Sequence, residues 1–345
     1  MKAIFFKAVL LIFVMTSLIF TGCQNRQNYL RDLSVDMTPR QINVGATNDF
    51  AEIVDEVRSS VVGISATSSD YQSVGSGVCV ADGGYILTNH HVVNGASSLV
   101  VYFADKTQAK ATTIWSDSSV DLAIIKSERE IPYIQFGDSD SVRVGEDVIA
   151  IGTPLTLQFK HTVTKGIVSA KDRTLEVDST NGSSYLQNLI QHDASINPGN
   201  SGGALISREG KLIGINTLKA TEAEGIGFAI PTKIGKAIVS KVSNNESYSP
   251  PYLGVFGFDA TIAQYYGKTL YDEGVYVVDI DSNSSSAKAG LKIGDIITKI
   301  GDYEVKTMLD LRVALYGFDV GDTISLNIQR NGINKTIDFI GTQRP

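Results

Sequence analysis

The sequence predicts two globular modules in tandem, the first of them all-β. Three observations carry that expectation. The chain has 345 residues, more than one ordinary hydrophobic core accommodates. From Ser60 onward its apolar runs are short and broken by Gly-Gly, Asp-Gly and Asn-Gly turns, the texture of a sandwich or a pair of barrels. A polar, proline-ended stretch over residues 243–251 separates a body at 47–242 from a smaller module at 252–345. With 43% hydrophobic and 19% charged residues, the chain can bury a core and is not a disordered one.

Residues 1–22 carry Lys2 and Lys7 ahead of an apolar run from Ala8 to Phe20. That run is short for a membrane span and reads as the h-region of an export signal. Phe20-Thr21-Gly22-Cys23 resembles a bacterial lipoprotein box, which implies cleavage before Cys23 and lipidation of its thiol. An uncleaved signal-anchor is the alternative, and both place the protein outside the cytoplasm, in the cell envelope or periplasm. Residues 23–46 are polar and aperiodic, a tether reaching roughly 25–30 Å as a flexible coil. Removing residues 1–22, with two lysines and no acid, takes the formal charge from −7 to −9. Such a balance repels phosphate backbones and argues against a nucleic-acid partner. The other cysteine, Cys79, lies in an alternating run and reads as a small buried hydrophobe, so no disulfide is expected.

Thr47-Asn48-Asp49 offers a helix N-cap, and Phe50, Ile53, Val54 and Val57 then share one helical face. Strand-like runs follow at 61–64, 84–87, 99–103, 122–125, 148–151, 166–168, 212–215 and 225–230. Pro231 opens a second helix, with Ile234, Ala237 and Ile238 on one face.

The chemistry centres on Gly199-Asn200-Ser201-Gly202-Gly203. Small neighbours let a carbonyl reach the serine hydroxyl, and flexible backbone can aim N–H groups at an oxyanion. The pattern also fits the nucleophile elbow of α/β-hydrolases, but that arrangement needs its histidine after the serine. All four histidines, His90, His91, His161 and His192, precede Ser201. The surviving order is histidine, aspartate, serine.

Thr88-Asn89-His90-His91-Val92-Val93, Asp121-Leu122-Ala123 and the Ser201 motif, in this order and spacing, resemble the HtrA (Deg) family of trypsin-like serine proteases. The resemblance implies two six-stranded β-barrels of chymotrypsin type with the site between them. It implies His91, directly before the Val-Val pair, as base, Asp121 as its carboxylate partner and Ser201 as nucleophile. His90 then stands at a variable position and His192 where relatives carry threonine, with His161 an ordinary strand-start histidine. Gly199 and Ser201, with Asn200 between them, would form the oxyanion hole. The pocket walls, Ile215-Asn216-Thr217-Leu218 and the segment at Ile226, hold no acid, which disfavours Lys or Arg before the scissile bond. The family implies cleavage after small aliphatic residues in unfolded or misfolded proteins, without cofactor or metal; no H-E-x-x-H pattern supports a zinc site.

Leu253-Gly254-Val255, the run at 287–295 and the helix at 309–315 resemble a PDZ domain, a small α+β module that binds C-terminal peptides. Leu253, Gly254 and Val255 match its carboxylate loop and pairing strand. Leu311 and Leu315 share the helix face that either flanks the groove or packs in the core. The charged loop expected after 166–170 contains Arg173, which matches an arginine that relays activation in the family. The resemblance also implies a homotrimer. The overall expectation is a membrane-tethered quality-control endopeptidase; the alternative is a non-catalytic chaperone or scaffold that keeps the peptide-binding surfaces.

Overall fold

The computed structural model describes residues 39, 41–42, 49–69, 71–153, 162–179, 182–197, 199–219, 225–265, 267 and 273–344. The expected signal segment, Cys23, most of the tether, Thr47, Asn48 and His161 lie outside the described residues; the end of the expected tether departs from a coil, since Gln41–Ile42 pairs in parallel with Tyr133–Ile134 and Ile42 is buried in the barrel core. In chain order the elements are β1 (Gln41–Ile42), α1 (Phe50–Val57), β2 (Val61–Thr67), β3 (Gln72–Ala81), β4 (Tyr85–Thr88), α2 (His90–Val93), β5 (Ser98–Tyr102), β6 (Gln108–Asp117), β7 (Leu122–Ser127) and β8 (Tyr133–Ile134). There follow β9 (Asp147–Gly152), β10 (Thr162–Ser179), β11 (Gly182–His192), β12 (Ala204–Ser207), β13 (Leu212–Lys219), β14 (Gly227–Pro231) and α3 (Thr232–Val242). The last module holds β15 (Val255–Phe258), α4 (Ala260–Tyr265), β16 (Val275–Ile280), α5 (Ser285–Lys288), β17 (Ile296–Ile300), β18 (Tyr303–Glu304), α6 (Met308–Leu315), β19 (Thr323–Arg330) and β20 (Ile333–Ile340).

Two closed barrels form the body, with strand orders β2-β3-β4-β7-β6-β5 and β10-β11-β14-β13-β12-β9. All their pairings are antiparallel, and closure leaves neither sheet an edge. The expected fold class is therefore the observed one, completed by a mixed module in which β15-β16-β17-β19-β20 carries two short helices and α6. Asp49 caps α1 by accepting from the Ala51 N–H at 2.9 Å, and Ile53 and Val57 are buried. Ile234 and Ile238 bury the inner face of α3.

One stretch departs from expectation. Lys171, Asp172 and Arg173 were expected in a surface loop, yet they lie within β10, paired to β11. Register shifts between Val168 and Leu175 absorb the irregular backbone, with Asp172 at φ 55° and Asn188 opposite at φ 56°. Leu175, Leu186 and Leu189 pack on the shared core, so apolar burial carries the pairing past the charged residues.

The two modules are joined by more than the linker. Tyr316, at the end of α6, is buried in the barrel core cluster and meets Trp115 edge-on, with centroids 6.1 Å apart. Its hydroxyl donates to Asp117 Oδ2 at 3.1 Å, and its carbonyl accepts from the Tyr248 hydroxyl of the linker at 2.8 Å. Lys233 of α3 bridges to Asp310 of α6 at 3.0 Å, and Lys241 to Asp319 at 2.7 Å. These exposed or half-exposed pairs contribute little beside the buried ring. Truncating a buried aromatic costs about 3–5 kcal/mol. Tyr316→Ala should therefore undock the module, giving a separate low-temperature calorimetric transition and faster cleavage of the 243–251 linker by added protease. Linker cleavage at the unaltered rate would contradict this docking.

Candidate active site

His91, Asp121 and Ser201 come together at the seam of the two barrels. Asn89 and the short helix α2 follow β4, so the His91 ring is presented from the first barrel's rim. Asp121 precedes β7 and takes φ 50°, a left-handed conformation that is uncommon outside glycine and found where surroundings over-determine it. Four hydrogen-bonding groups hold it there. Asn89 Nδ2 donates to its carbonyl at 3.0 Å, and the His91 N–H donates to Oδ1 at 3.0 Å. The His91 ring places Nδ1 2.9 Å from Oδ2. The Thr217 hydroxyl, from β13 of the second barrel, donates to the same oxygen at 2.7 Å. A carboxylate against Nδ1 fixes the proton there and leaves Nε2 free to act as base. His91 is half exposed, whereas the Asp121 carboxyl is nearly enclosed.

Ser201 Oγ donates to the Thr217 carbonyl at 2.9 Å. Around it the backbone is pinned: Gly202 N–H donates to Asn216 O at 2.8 Å, and Asn216 N–H returns a bond to Gly203 O at 2.9 Å. Gly202 has φ 83°, and a Cβ there would lie 2.1 Å from Ser76 O. No other residue fits. The Asn200 N–H turns inward to Asn197 O at 3.0 Å, while among the described residues the Gly199 and Ser201 N–H groups donate to no backbone carbonyl. Those two are the donors free to face an oxyanion.

The expected pocket residues divide by role. Ile215 packs into the shared core, with Ile226 partly buried against it. Asn216 Nδ2 donates to Ala204 O at 2.8 Å. Thr217 serves Asp121 with its side chain and Ser201 with its carbonyl, a double role its place in a strand run did not disclose. Ile196 was missed by sequence reasoning. Its Cγ1 and His192 Cε1 both lie within 2.8 Å of where a Cβ on Gly227 would sit, so these residues pack closely on the β14 backbone. His90 is partly exposed beside the triad, its Nδ1 2.7 Å from Ser116 Oγ. Burial pushes the Cys79 thiol up to about 12, which makes it inert at neutral pH.

Leu253, Gly254, Val255, Leu311 and Leu315 do line one cleft, of about 830 Å³. Its other wall is the protease body, from Trp115 to Ser119 with His90. Leu311 belongs to the module's own core as well, so both alternatives for that residue hold at once. Arg312 of α6 reaches across to donate to Ser119 O at 2.9 Å, two residues before Asp121. Arg173 instead bonds Gln191 of β11, Nε to Oε1 at 3.0 Å.

His192 is fully buried at the end of β11, with its ring against the Ala194 backbone and Asn216 side chain but no hydrogen bond of good geometry to either nitrogen. Burial lowers it to about 4, opposed by Ala194, Asp193 and Asn216. A depressed histidine is neutral in the folded state while the unfolded chain takes up a proton. Its stabilisation is therefore complete above about pH 6.5 and is lost as pH falls toward 4, on the order of 3 kcal/mol. In a Ser201→Ala background, His192→Thr should flatten that limb in denaturant titrations between pH 7.5 and 4. An unchanged limb would mean that His192 is not the group responsible.

Residues 75–215 match the trypsin-like peptidase domain family, and residues 227–340 match the PDZ domain family. The chain is 38% identical over 328 residues to the serine protease Do-like HtrB of Bacillus subtilis, covering 86% of this chain and 71% of the relative. It is 36% identical over 338 residues to the serine protease Do-like HtrA of Lactococcus lactis, covering 86% and 83%. Among solved structures it is similar to the HtrA-type protease AlgW with tripeptide, at TM-score 0.67 and 33% identity, covering 86% of this chain and 98% of that one. The serine endoprotease from Yersinia pestis aligns at TM-score 0.61 and 31% identity, covering 87% and 100%. With twin barrels, a histidine–aspartate pair joined through Thr217 to a glycine-flanked serine, and a PDZ module docked beside them, this chain belongs to the HtrA (Deg) family of trypsin-like serine proteases and carries serine endopeptidase activity.

Proposed function

We propose that this protein is an exported, membrane-tethered endopeptidase that cleaves unfolded or misfolded envelope proteins, and that Ser201, His91 and Asp121 perform the chemistry. The observation that carries the assignment is the Asp121 carboxylate, which accepts from the His91 ring on one barrel and from Thr217 on the other. In the reaction His91 Nε2 takes the proton of Ser201 Oγ as that oxygen attacks the substrate carbonyl. The imidazolium so formed is stabilised by Asp121. The Gly199 and Ser201 N–H groups receive the oxyanion, and His91 returns the proton to the leaving amine. Water then repeats the sequence on the acyl-enzyme.

The segments expected to wall the pocket, residues 215–218 and 225–228, contain no acidic residue, which disfavours Lys or Arg before the scissile bond and favours small aliphatic residues. Such a pocket discriminates by about 1–3 kcal/mol per methylene, which suits broad cleavage of unfolded chains. Casein should be digested by the wild type and left intact by Ser201→Ala, with His91→Ala comparably inactive and the double variant little worse. Digestion by purified Ser201→Ala would contradict the nucleophile assignment, and wild-type protein that leaves casein intact would favour the chaperone or scaffold reading.

The export reading is supported by the lysine-led apolar run of residues 1–22 and by similarity to relatives such as the probable periplasmic DegP-like endoprotease of Pseudomonas putida, 36% identical over 274 residues. No helix among the described residues is long and apolar enough to cross a membrane. Tethering is assigned to a lipidated Cys23, with an uncleaved signal-anchor as the alternative, and intact mass of the membrane-extracted chain distinguishes the two. Assembly as a homotrimer rests on the family.

Control by the PDZ module has a physical path. α6, which flanks the peptide cleft, touches the turn before Asp121 through Arg312 and packs Leu309 toward Leu186 and Leu189 of β11. Leu189 is the cross-strand partner of Arg173, and β11 ends at His192, where the segment leading to Ser201 begins. Binding of a C-terminal peptide and the active conformation then favour each other reciprocally, typically by 1–3 kcal/mol. A peptide that binds the module should raise hydrolysis of a small reporter about 5–150-fold. Arg173→Ala should blunt that rise while peptide affinity persists; full activation would remove Arg173 from the path.

A further inference from the structure

Ser76, in the middle of β3, does not belong to the triad, yet it is fully buried directly beneath the nucleophile. Its hydroxyl donates to Gly199 O at 2.5 Å and accepts from the Thr153 N–H at 2.7 Å. Its own N–H donates to Ser201 O at 2.8 Å, and its carbonyl accepts from Thr88 Oγ1 at 2.6 Å. Every polar atom of this residue is thus engaged, and its bonds reach both barrels.

The two residues whose N–H groups are free to face the substrate, Gly199 and Ser201, are the two whose carbonyls Ser76 holds. A carbonyl shares its rigid peptide plane with the N–H of the next residue, so Ser76 and Asn197 together fix the Gly199–Asn200 plane, and the Gly199 N–H is then set relative to that plane by the two soft dihedrals of Gly199. Gly199 has φ 103°, a region where glycine has wide freedom, and it needs such an external restraint more than Ser201 does. The close approach is built into the neighbours. A Cβ on Gly75 would lie 3.0 Å from Ser201 O, and one on Gly77 would lie 2.5 Å from the Ile86 side chain.

We infer that Ser76 is a positioning residue for the oxyanion hole, clamping the Gly199 and Ser201 carbonyls from the opposite barrel so that both N–H groups converge on the transition state. The inference rests on Ser201 being the nucleophile. Ser76→Ala removes the restraint on the Gly199 carbonyl, so that its peptide plane is held only through the Asn200 N–H, while the Ser76 N–H still holds Ser201 O. The expected loss is that of one oxyanion donor, about 10²-fold in kcat on a small chromogenic peptide, with KM within about threefold. Affinity for a peptide boronate, which binds as a tetrahedral adduct, should fall in parallel. Affinity for the matching product peptide should not change, which general loosening of the site would not reproduce. Ser76→Cys retains a weak donor and should fall between the two; it also serves as the test if Ser76→Ala does not fold.

The inference is overturned if kcat in Ser76→Ala stays within about twofold of wild type, or if boronate and product affinities fall together; for Ser76→Cys alone, a kcat equal to wild type does the same. Wild-type protein that forms no boronate adduct at Ser201 would instead overturn the nucleophile assignment beneath it.

Discussion

The Asp121 carboxylate is the constraint on which the active centre depends. It is nearly enclosed at the seam of two barrels, and an enclosed carboxylate is costly unless its oxygens are paired. Its partners are drawn from α2 and β13, so pairing it requires both barrels to be closed and in register. The strained backbone at φ 50° is held by the same set of bonds. Catalytic geometry is thus a consequence of satisfying one buried charge. Gly75 and Gly202 let the barrels approach closely here, since a Cβ on the first would lie 3.0 Å from Ser201 O and one on the second 2.1 Å from Ser76 O.

The same turn is where the second module is attached. Asp117 receives the Tyr316 hydroxyl and Ser119 O receives the Arg312 guanidinium, while Tyr316 itself is part of the barrel core. A helix that flanks a peptide cleft and also rests on the turn entering the catalytic aspartate has a short route between the two sites. The buried aromatic supplies most of the attachment, and the polar contacts supply its register.

The residues legible in the sequence were those that sit in short, chemically distinctive stretches. His91, Asp121 and Ser201 each stand in such a stretch, and Leu253-Gly254-Val255 announces a groove in the same way. Alternation of apolar residues located most strands but could not distinguish a sandwich from barrels, because closure depends on pairings between distant strands. Ser76 and Thr217 were not legible as positioning groups. They are small polar residues in ordinary strands, and their partners lie 123 and 96 residues away in the chain. The loop expected around Arg173 became a strand for a related reason. The bulges that admit Asp172 are stabilised by Leu186 and Leu189 across the hairpin, which no local window contains.

The central claim is that this seam assembles a single activated hydroxyl at Ser201. Covalent labelling with a fluorophosphonate, followed by peptide mass mapping, tests it most directly. The account predicts one adduct per chain, located at Ser201, forming in step with loss of peptidase activity and failing to form in Asp121→Asn. Complete inactivation with the adduct at another residue, or undiminished labelling in Asp121→Asn, would contradict it.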